Sequence, residues 1–192
     1  MSAHEGNEVE IKFAIHDLEA LMRSVESAGL RQKTASTFES NTLYDNTAGD
    51  LRRAGEVLRL RVYGERRTLT HKSRGNTGRH KSRAEHETGV AKAEEMHAIL
   101  DALGFHPAFR YEKYRAEWCD GDGEVVIDRT PIGDFGEIEG APEWIDRTAE
   151  SLNLSEKDYI TASYPELFAR WKERTGSAAH DMTFEQCGTP RP

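Results

Sequence analysis

Glu8, Glu10 and Lys12 stand two residues apart in the segment NEVEIKFAI. The same spacing returns at Arg59 and Arg61, at Arg83, Glu85 and Glu87, at Lys113 and Arg115, and at Glu137 and Glu139. Side chains two apart on a strand share a face, so each set would present its charges to one side of a sheet. Carboxylates gathered from separate strands suit a hard divalent cation, Mg²⁺ or Mn²⁺, which takes oxygen ligands and leaves positions open for a substrate. Arginines and lysines at this spacing suit phosphate oxygens, arginine as a planar fork and lysine as a point charge. A cation carrier would not need the bases, and a plain anion binder would not need the acids. A polyphosphate chelated to a metal would use both.

The elements that must position these residues are legible from periodicity. Val9, Ile11 and Phe13 alternate with the first charged set, and Leu58, Leu60 and Val62 alternate with Arg59 and Arg61, as half-buried strands do. Further strands are predicted over 31–45, 66–74 (with Lys72), 81–89, 108–119, 124–129 (with Asp128) and 134–140. Hairpin turns are expected at Gly64-Glu65 and at the DGDG of 120–123. Helices are expected after Asp17, around Met96–Leu103, from Pro142 to about Leu154, and after Ser163, whose Ser-x-x-Glu is a capping box. The expected fold class is therefore α+β: about eight antiparallel strands closed into a barrel with helices packed on the outside. The domain would run over 1–175, and 176–192 reads as a frayed, disordered tail.

In such a barrel the charged faces point inward. Glu8, Glu10, Glu85, Glu87, Asp128, Glu137 and Glu139 would meet Lys12, Arg59, Arg61, Lys72, Arg83, Lys113 and Arg115. A single strand of alternating charge ordinarily has a solvated face. Repetition over six or seven strands is different, because charges held together away from water are costly unless paired or ligated.

Composition excludes several other functions. The 192 residues carry 34 acids against 26 bases, a net charge of −8, a poor match to a phosphate backbone that demands a basic stripe. No apolar run approaches the 18 or so residues of a spanning helix, and MSAHEGNEVEIK lacks the order of a signal peptide. Neither nucleic acid nor membrane is an expected partner. Cys119 and Cys187 form no metal-spaced pair and read as reduced thiols of a cytoplasmic protein. There is no HExxH and no GxSxG. The stretch GNTGRHKS has no glycine before its lysine and lies between strands, so it is not a phosphate-binding loop. His71 and His86 have the wrong parity to join Lys72, Glu85 and Glu87, and Tyr111, Tyr114 and Trp118 read as core or rim.

The ordered series of segments resembles the CYTH superfamily of triphosphate tunnel metalloenzymes, which includes class IV adenylyl cyclases, thiamine triphosphatases and inorganic triphosphatases. EVEIK matches its opening ExExK signature. NTLYDNTAGDLRRAGEVLRLR, TLTHK, SRAEHE, YEKYRAEW and VVIDRTPIGDFGEIEG are similar to its later strands in order, over about residues 7–175. The resemblance implies an eight-stranded antiparallel tunnel holding Mg²⁺ or Mn²⁺ on Glu8, Glu10, Asp128, Glu137 and Glu139. Lys12, Arg59, Arg61, Lys72 and Arg115 would grip the triphosphate, with Arg83 and Lys113 in matching strands. Lys12 and a water held by Glu85 or Glu87 would act in catalysis. Some triphosphatases of this family pair the motif lysine with a strand-two tyrosine, and Leu43-Tyr44 occupies that neighbourhood here.

The implied activity is hydrolysis of the terminal phosphate of tripolyphosphate, thiamine triphosphate or ATP. The alternatives are cyclisation of ATP to cyclic AMP and pyrophosphate, or binding of polyphosphate or nucleotide without turnover. Dimers occur among relatives, which makes a homodimer an expectation.

Overall fold

The computed structural model describes residues 7–192. In chain order it consists of β1 (Asn7–Ala14), α1 (Leu18–Ser27), β2 (Arg31–Asp45), α2 (Asp50–Ala54), β3 (Val57–Tyr63), β4 (Arg66–Lys72), β5 (Asn76–Thr77), β6 (Lys81–Gly89) and α3 (Ala93–Ala102). These are followed by β7 (His106–Cys119), β8 (Gly123–Thr130), β9 (Gly133–Gly140), α4 (Pro142–Ser151), a 3₁₀ turn (Glu156–Asp158), α5 (Tyr164–Thr175) and α6 (Phe184–Cys187).

The sheet runs β1-β9-β8-β7-β2-β3-β4-β6, and β6 pairs back onto β1 through Glu8↔Arg83 and Glu10↔Lys81. Eight antiparallel strands thus close on themselves, and closure gives every long strand a partner on both sides. The two-residue β5 is an appendage on β6. The β3–β4 hairpin turns at Gly64, whose φ of +57 belongs to the left-handed region that such a tight turn demands.

Alternation decides which residues face out. Ile11 and Phe13 on β1, Ala116 and Trp118 on β7, Val125 and Ile127 on β8 and Ile138 on β9 pack under α1 and α4, where Val25, Trp144 and Ile145 meet them. A second outer core joins Leu60 and Tyr44 to Ala93 and Leu100 of α3. Two glycines are set by this packing: a Cβ on Gly136 would overlap the Phe13 ring, and one on Gly123 would overlap Trp144. No helix among the described residues is long and apolar enough to cross a membrane.

The structure departs from the sequence reading in two places. NTAGDLRRAG is not merely a turn: Asp45 accepts from the backbone N–H groups of Leu51 and Arg52, both at 3.0 Å, and holds the short α2. The expected frayed tail is instead folded back. β8 pairs with β7 only from Tyr114 onward, which leaves the backbone of Arg110 and Glu112 open on that side. Met182 fills the gap, its N–H donating to Arg110 O at 2.9 Å and its carbonyl accepting from Glu112 N at 3.0 Å. Met182 and Phe184 are buried there, and the exposed chemistry of the remaining tail residues hides that pair of anchors from a composition-based reading.

Candidate active site: a charged tunnel

The barrel encloses a cavity of about 920 Å³. Every charged residue expected from the sequence except Asp128 lines it: Glu8, Glu10 and Lys12 from β1, Arg59 and Arg61 from β3, Lys72 from β4, Arg83, Glu85 and Glu87 from β6, Lys113 and Arg115 from β7, and Glu137 and Glu139 from β9. Strand parity alone brings them together. Cross-strand register then sets the levels, with Lys12 opposite Glu137, Glu10 opposite Glu139, and Lys72 opposite Glu85.

Asp128 lies behind the wall rather than in it. Its side chain is fully buried and takes donors from Lys113 Nζ at 2.9 Å, Arg115 Nε at 2.7 Å and Nη2 at 2.6 Å, and the Tyr164 hydroxyl at 2.7 Å. With four donors on two oxygens, it acts as a counter-ion to the cationic wall and is not placed as a metal ligand. Glu137 lines the cavity but is also committed, to Lys12 on one oxygen and to Arg115 on the other. Burial alone would raise its carboxyl, yet Lys12, Arg115 and Lys113 hold it well below the usual range. The same contacts keep Lys12 protonated: burial opposes its charge, and Glu137 and Glu10 outweigh burial.

Tyr44 does not meet Lys12. Its side chain faces the outer core and its hydroxyl meets Nδ1 of His97, while Leu43 points into the cavity. The aromatic partner of Lys12 is Tyr164, over whose ring the Lys12 ammonium lies at 4.5 Å and that of Lys113 at 5.0 Å. Tyr164 is the first residue of α5, seated by the Ser163–Glu166 capping box that the sequence announces.

Three further residues belong to the site and escaped the sequence reading. Glu39 is sealed behind the cationic wall, 2.5 Å from Arg61 Nη2, 3.5 Å from Lys113 Nζ and 3.9 Å from Arg115 Nε. Burial opposes its ionisation, and Lys113, Arg115 and Arg61 reverse this, holding it far below the ordinary carboxylate range. Lys81 lines the cavity 3.1 Å from Glu10; its two-residue spacing from Arg83 was the available signal. Lys33, at one mouth, pairs with Glu124.

The remaining carboxylates lie on β1, β6 and β9. Glu8 accepts from Lys72 at 2.7 and 2.9 Å and from Arg83 at 2.9 Å. Burial would raise it, but these two bases bring it down to about 2. Glu85 lies 2.8 Å from Lys72, and burial raises its carboxyl despite that neighbour. Glu87 accepts from Thr70 at 2.6 Å. Glu139 is exposed where it opens onto the cavity. Desolvation first, and then the charges of Glu8 and Glu10, push it up to about 8.

Glu8, Glu10 and Glu139 offer the oxygen donors that a hard divalent cation takes. As the side chains are placed, no three His, Cys, Asp or Glu residues among those described stand close enough together to hold one. Glu8 and Glu10 are turned onto Lys72, Arg83 and Lys81 instead. Glu8 and Glu10 of β1 and Glu139 of β9, which is opposite Glu10 across the strand pair, nevertheless present carboxylates to the same cavity.

The sequence model of the CYTH domain matches residues 6–164. No curated protein sequence matches the chain. Among solved structures, the chain is similar to a proposed adenylate cyclase of Vibrio parahaemolyticus, with a TM-score of 0.77 and 21% identity over 86% of this chain and 99% of that one. It is also similar to a protein of Pyrococcus horikoshii, with a TM-score of 0.73 and 22% identity over 83% and 98%. A third likeness is to a proposed adenylyl cyclase of Hippeastrum described as having a dominant triphosphatase activity, with a TM-score of 0.63 and 21% identity over 87% and 96%. At these identities the structures speak for the shared barrel, and the domain match speaks for descent: this chain belongs to the CYTH domain family of triphosphate-tunnel enzymes.

Proposed function

We propose that the protein hydrolyses the terminal phosphate of a triphosphate held in the tunnel with Mg²⁺ or Mn²⁺. One observation carries this reading. Arg59 and Arg61 of β3 and Lys113 and Arg115 of β7 bring four cationic side chains onto one cavity, and phosphate oxygens are the natural partners of such a cluster.

The lining also favours hydrolysis over cyclisation. Cyclisation requires a seat for the purine, and the two aromatic side chains that line the cavity are Tyr111 and Tyr164. Lys12 and Lys113 stand over the Tyr164 ring, and Tyr111 stacks against Tyr164 and Phe109. The triphosphatase activity described for the Hippeastrum relative points the same way.

In this reading Arg59, Arg61, Lys113 and Arg115 bind and straighten the phosphate chain, and Lys12 adds a charge kept in place by Glu137. Glu8, Glu10 and Glu139 would hold the cation, which would supply polarisation of a phosphoryl oxygen and offset charge on the leaving group. Glu85, with its raised carboxyl, takes the proton from the attacking water. The new P–O bond forms at the terminal phosphorus as the bond to the bridging oxygen breaks. Positioning and fixed charge supply most of the acceleration.

Release of orthophosphate from tripolyphosphate, thiamine triphosphate and ATP, each with Mg²⁺ or Mn²⁺ and with chelator, tests the proposal. Metal-dependent release from at least one of them is expected. Binding of all three without any product would instead make the protein a polyphosphate or nucleotide sensor.

A further inference from the structure

The acidic and basic halves of the tunnel are bonded to each other. Lys72 bridges Glu8 and Glu85 at 2.7 and 2.8 Å, Arg83 Nε lies 2.9 Å from Glu8 with its Nη2 4.0 Å from Glu10, and Lys81 is 3.1 Å from Glu10. Glu8 and Glu10 are assigned above to the cation, and all three bases line the phosphate cavity. A carboxylate engaged by two cationic donors has few lone pairs left for a third cation, and an ammonium wedged between two carboxylates cannot approach a metal's position without strong repulsion. Neither partner of these pairs can serve its ligand until it lets go of the other.

The rest of the cationic wall is built differently. Arg61, Lys113 and Arg115 are held by Glu39 and Asp128, and neither of those carboxylates lines the cavity. Each of the three thus keeps at least one counter-ion that no ligand in the cavity competes for. Lys12 and Arg115 also share the cavity-lining Glu137, but the bases of β4 and β6 are the ones paired with Glu8 and Glu10.

We propose that Lys72 and Arg83 hold the carboxylates of Glu8 and Glu10 until a polyphosphate anion draws the two bases away, so that the tunnel takes up its divalent cation together with the anion and only weakly alone. The proposal rests on the assignment of Glu8 and Glu10 as cation ligands made under the proposed function. Its physical content is a coupling between two ligands. By linkage, whatever factor the anion adds to cation affinity, the cation adds to anion affinity. A tunnel that worked this way would load neither free Mg²⁺ nor free phosphate as its stable state, and would select anions with enough charge to engage both bases.

The test is direct binding of Mn²⁺, read by the electron-spin signal of the free ion, to the full chain and to variants, with no substrate and no turnover. Wild type is expected to bind Mn²⁺ alone at least tenfold more weakly than Lys72→Met does. Arg83→Met is expected to gain in the same direction. Arg61→Met removes the same charge from the same tunnel without touching Glu8 or Glu10, and separates release of the ligands from a general rise in negative potential. Its affinity for Mn²⁺ is expected within about twofold of wild type. A methylene-bridged tripolyphosphate, which cannot be hydrolysed, should strengthen Mn²⁺ binding to wild type by more than it does in Lys72→Met. Equal gains in Arg61→Met and Lys72→Met, or no gain in either Lys72→Met or Arg83→Met, would overturn the proposal. Because no turnover is measured, these results stand apart from hydrolysis: a protein that binds Mn²⁺ as predicted but releases no phosphate would refute the proposed activity and leave the coupling intact.

Discussion

The ammonium of Lys113 lies 2.9 Å from Oδ2 of Asp128, and both side chains are sealed from solvent. The pair is the keel of the cationic wall, because Arg115 and the Tyr164 hydroxyl share the same carboxylate. Removing one partner of such a buried network strands the other charges. Asp128→Asn is therefore expected to destabilise the fold by about 3–5 kcal/mol, and to do so with or without divalent cation. Thermal melts with Mn²⁺ and with chelator check this. A variant of normal stability that had lost only its response to metal would return Asp128 to the ligand set.

Arg59 and Arg61 should govern affinity for the phosphate chain. Replacing either by alanine is expected to weaken binding of tripolyphosphate by several-fold or more. Lysine at the same position should restore it only in part, because an ammonium cannot offer the planar fork. Calorimetric titration of each variant measures the effect. Unchanged affinity in both alanine variants would mean that neither guanidinium reaches the ligand.

Glu139 makes stability depend on pH. Desolvation and the neighbouring charges of Glu8 and Glu10 push its carboxyl up from 4.5 in the unfolded chain to about 8 in the folded one. Between those values the folded state holds the extra proton, so its stability falls as pH rises from 4.5 to 8. Glu139→Gln removes this dependence. In chelator, the variant should melt higher than wild type at pH 8 and lose that advantage by pH 5. A difference that stays constant with pH would show that Glu139 ionises normally.

Gly136 is a packing prediction. The ring of Phe13 lies where its Cβ would be, and Phe13 is buried with Ile11, Ile127 and Ile138 in the outer core. Gly136→Ala should cost about 1–3 kcal/mol through overpacking, lowering the melting temperature by about 2–4 °C for each kcal/mol. Gly89→Ala is the control, since nothing lies within 4 Å of a Cβ there.

Strand parity made most of the tunnel legible. Where a strand alternates without interruption, as β1 and β3 do, its inward residues could be read off directly. Two kinds of information were not in the pattern. The first is depth: Asp128 and Glu137 share an inward parity, yet Asp128 lies behind the wall because Lys113, Arg115 and Tyr164 close over it. The second is register across irregular pairing. β2 is bulged against β7 between Gln32 and Thr34 and again between Thr34 and Thr37, so the alternation that would have placed Glu39 and Asn41 inside is broken just before them. A third irregularity, between Leu43 and Tyr44, left Tyr44 a candidate for Lys12, a role that falls to Tyr164 from a helix more than a hundred residues on. Burial of Met182 depends on an open stretch of β7, and that edge exists only once β8 is seen to end short.

The most direct test of the account is ³¹P NMR of ATP incubated with the protein and Mg²⁺. The terminal and internal phosphorus atoms report separately which of them is attacked. Attack on the terminal phosphorus gives ADP and orthophosphate, and this is the predicted result, with tripolyphosphate giving pyrophosphate and orthophosphate under the same conditions. Cyclic AMP and pyrophosphate from ATP, with tripolyphosphate left intact, would contradict it and assign the tunnel to cyclisation.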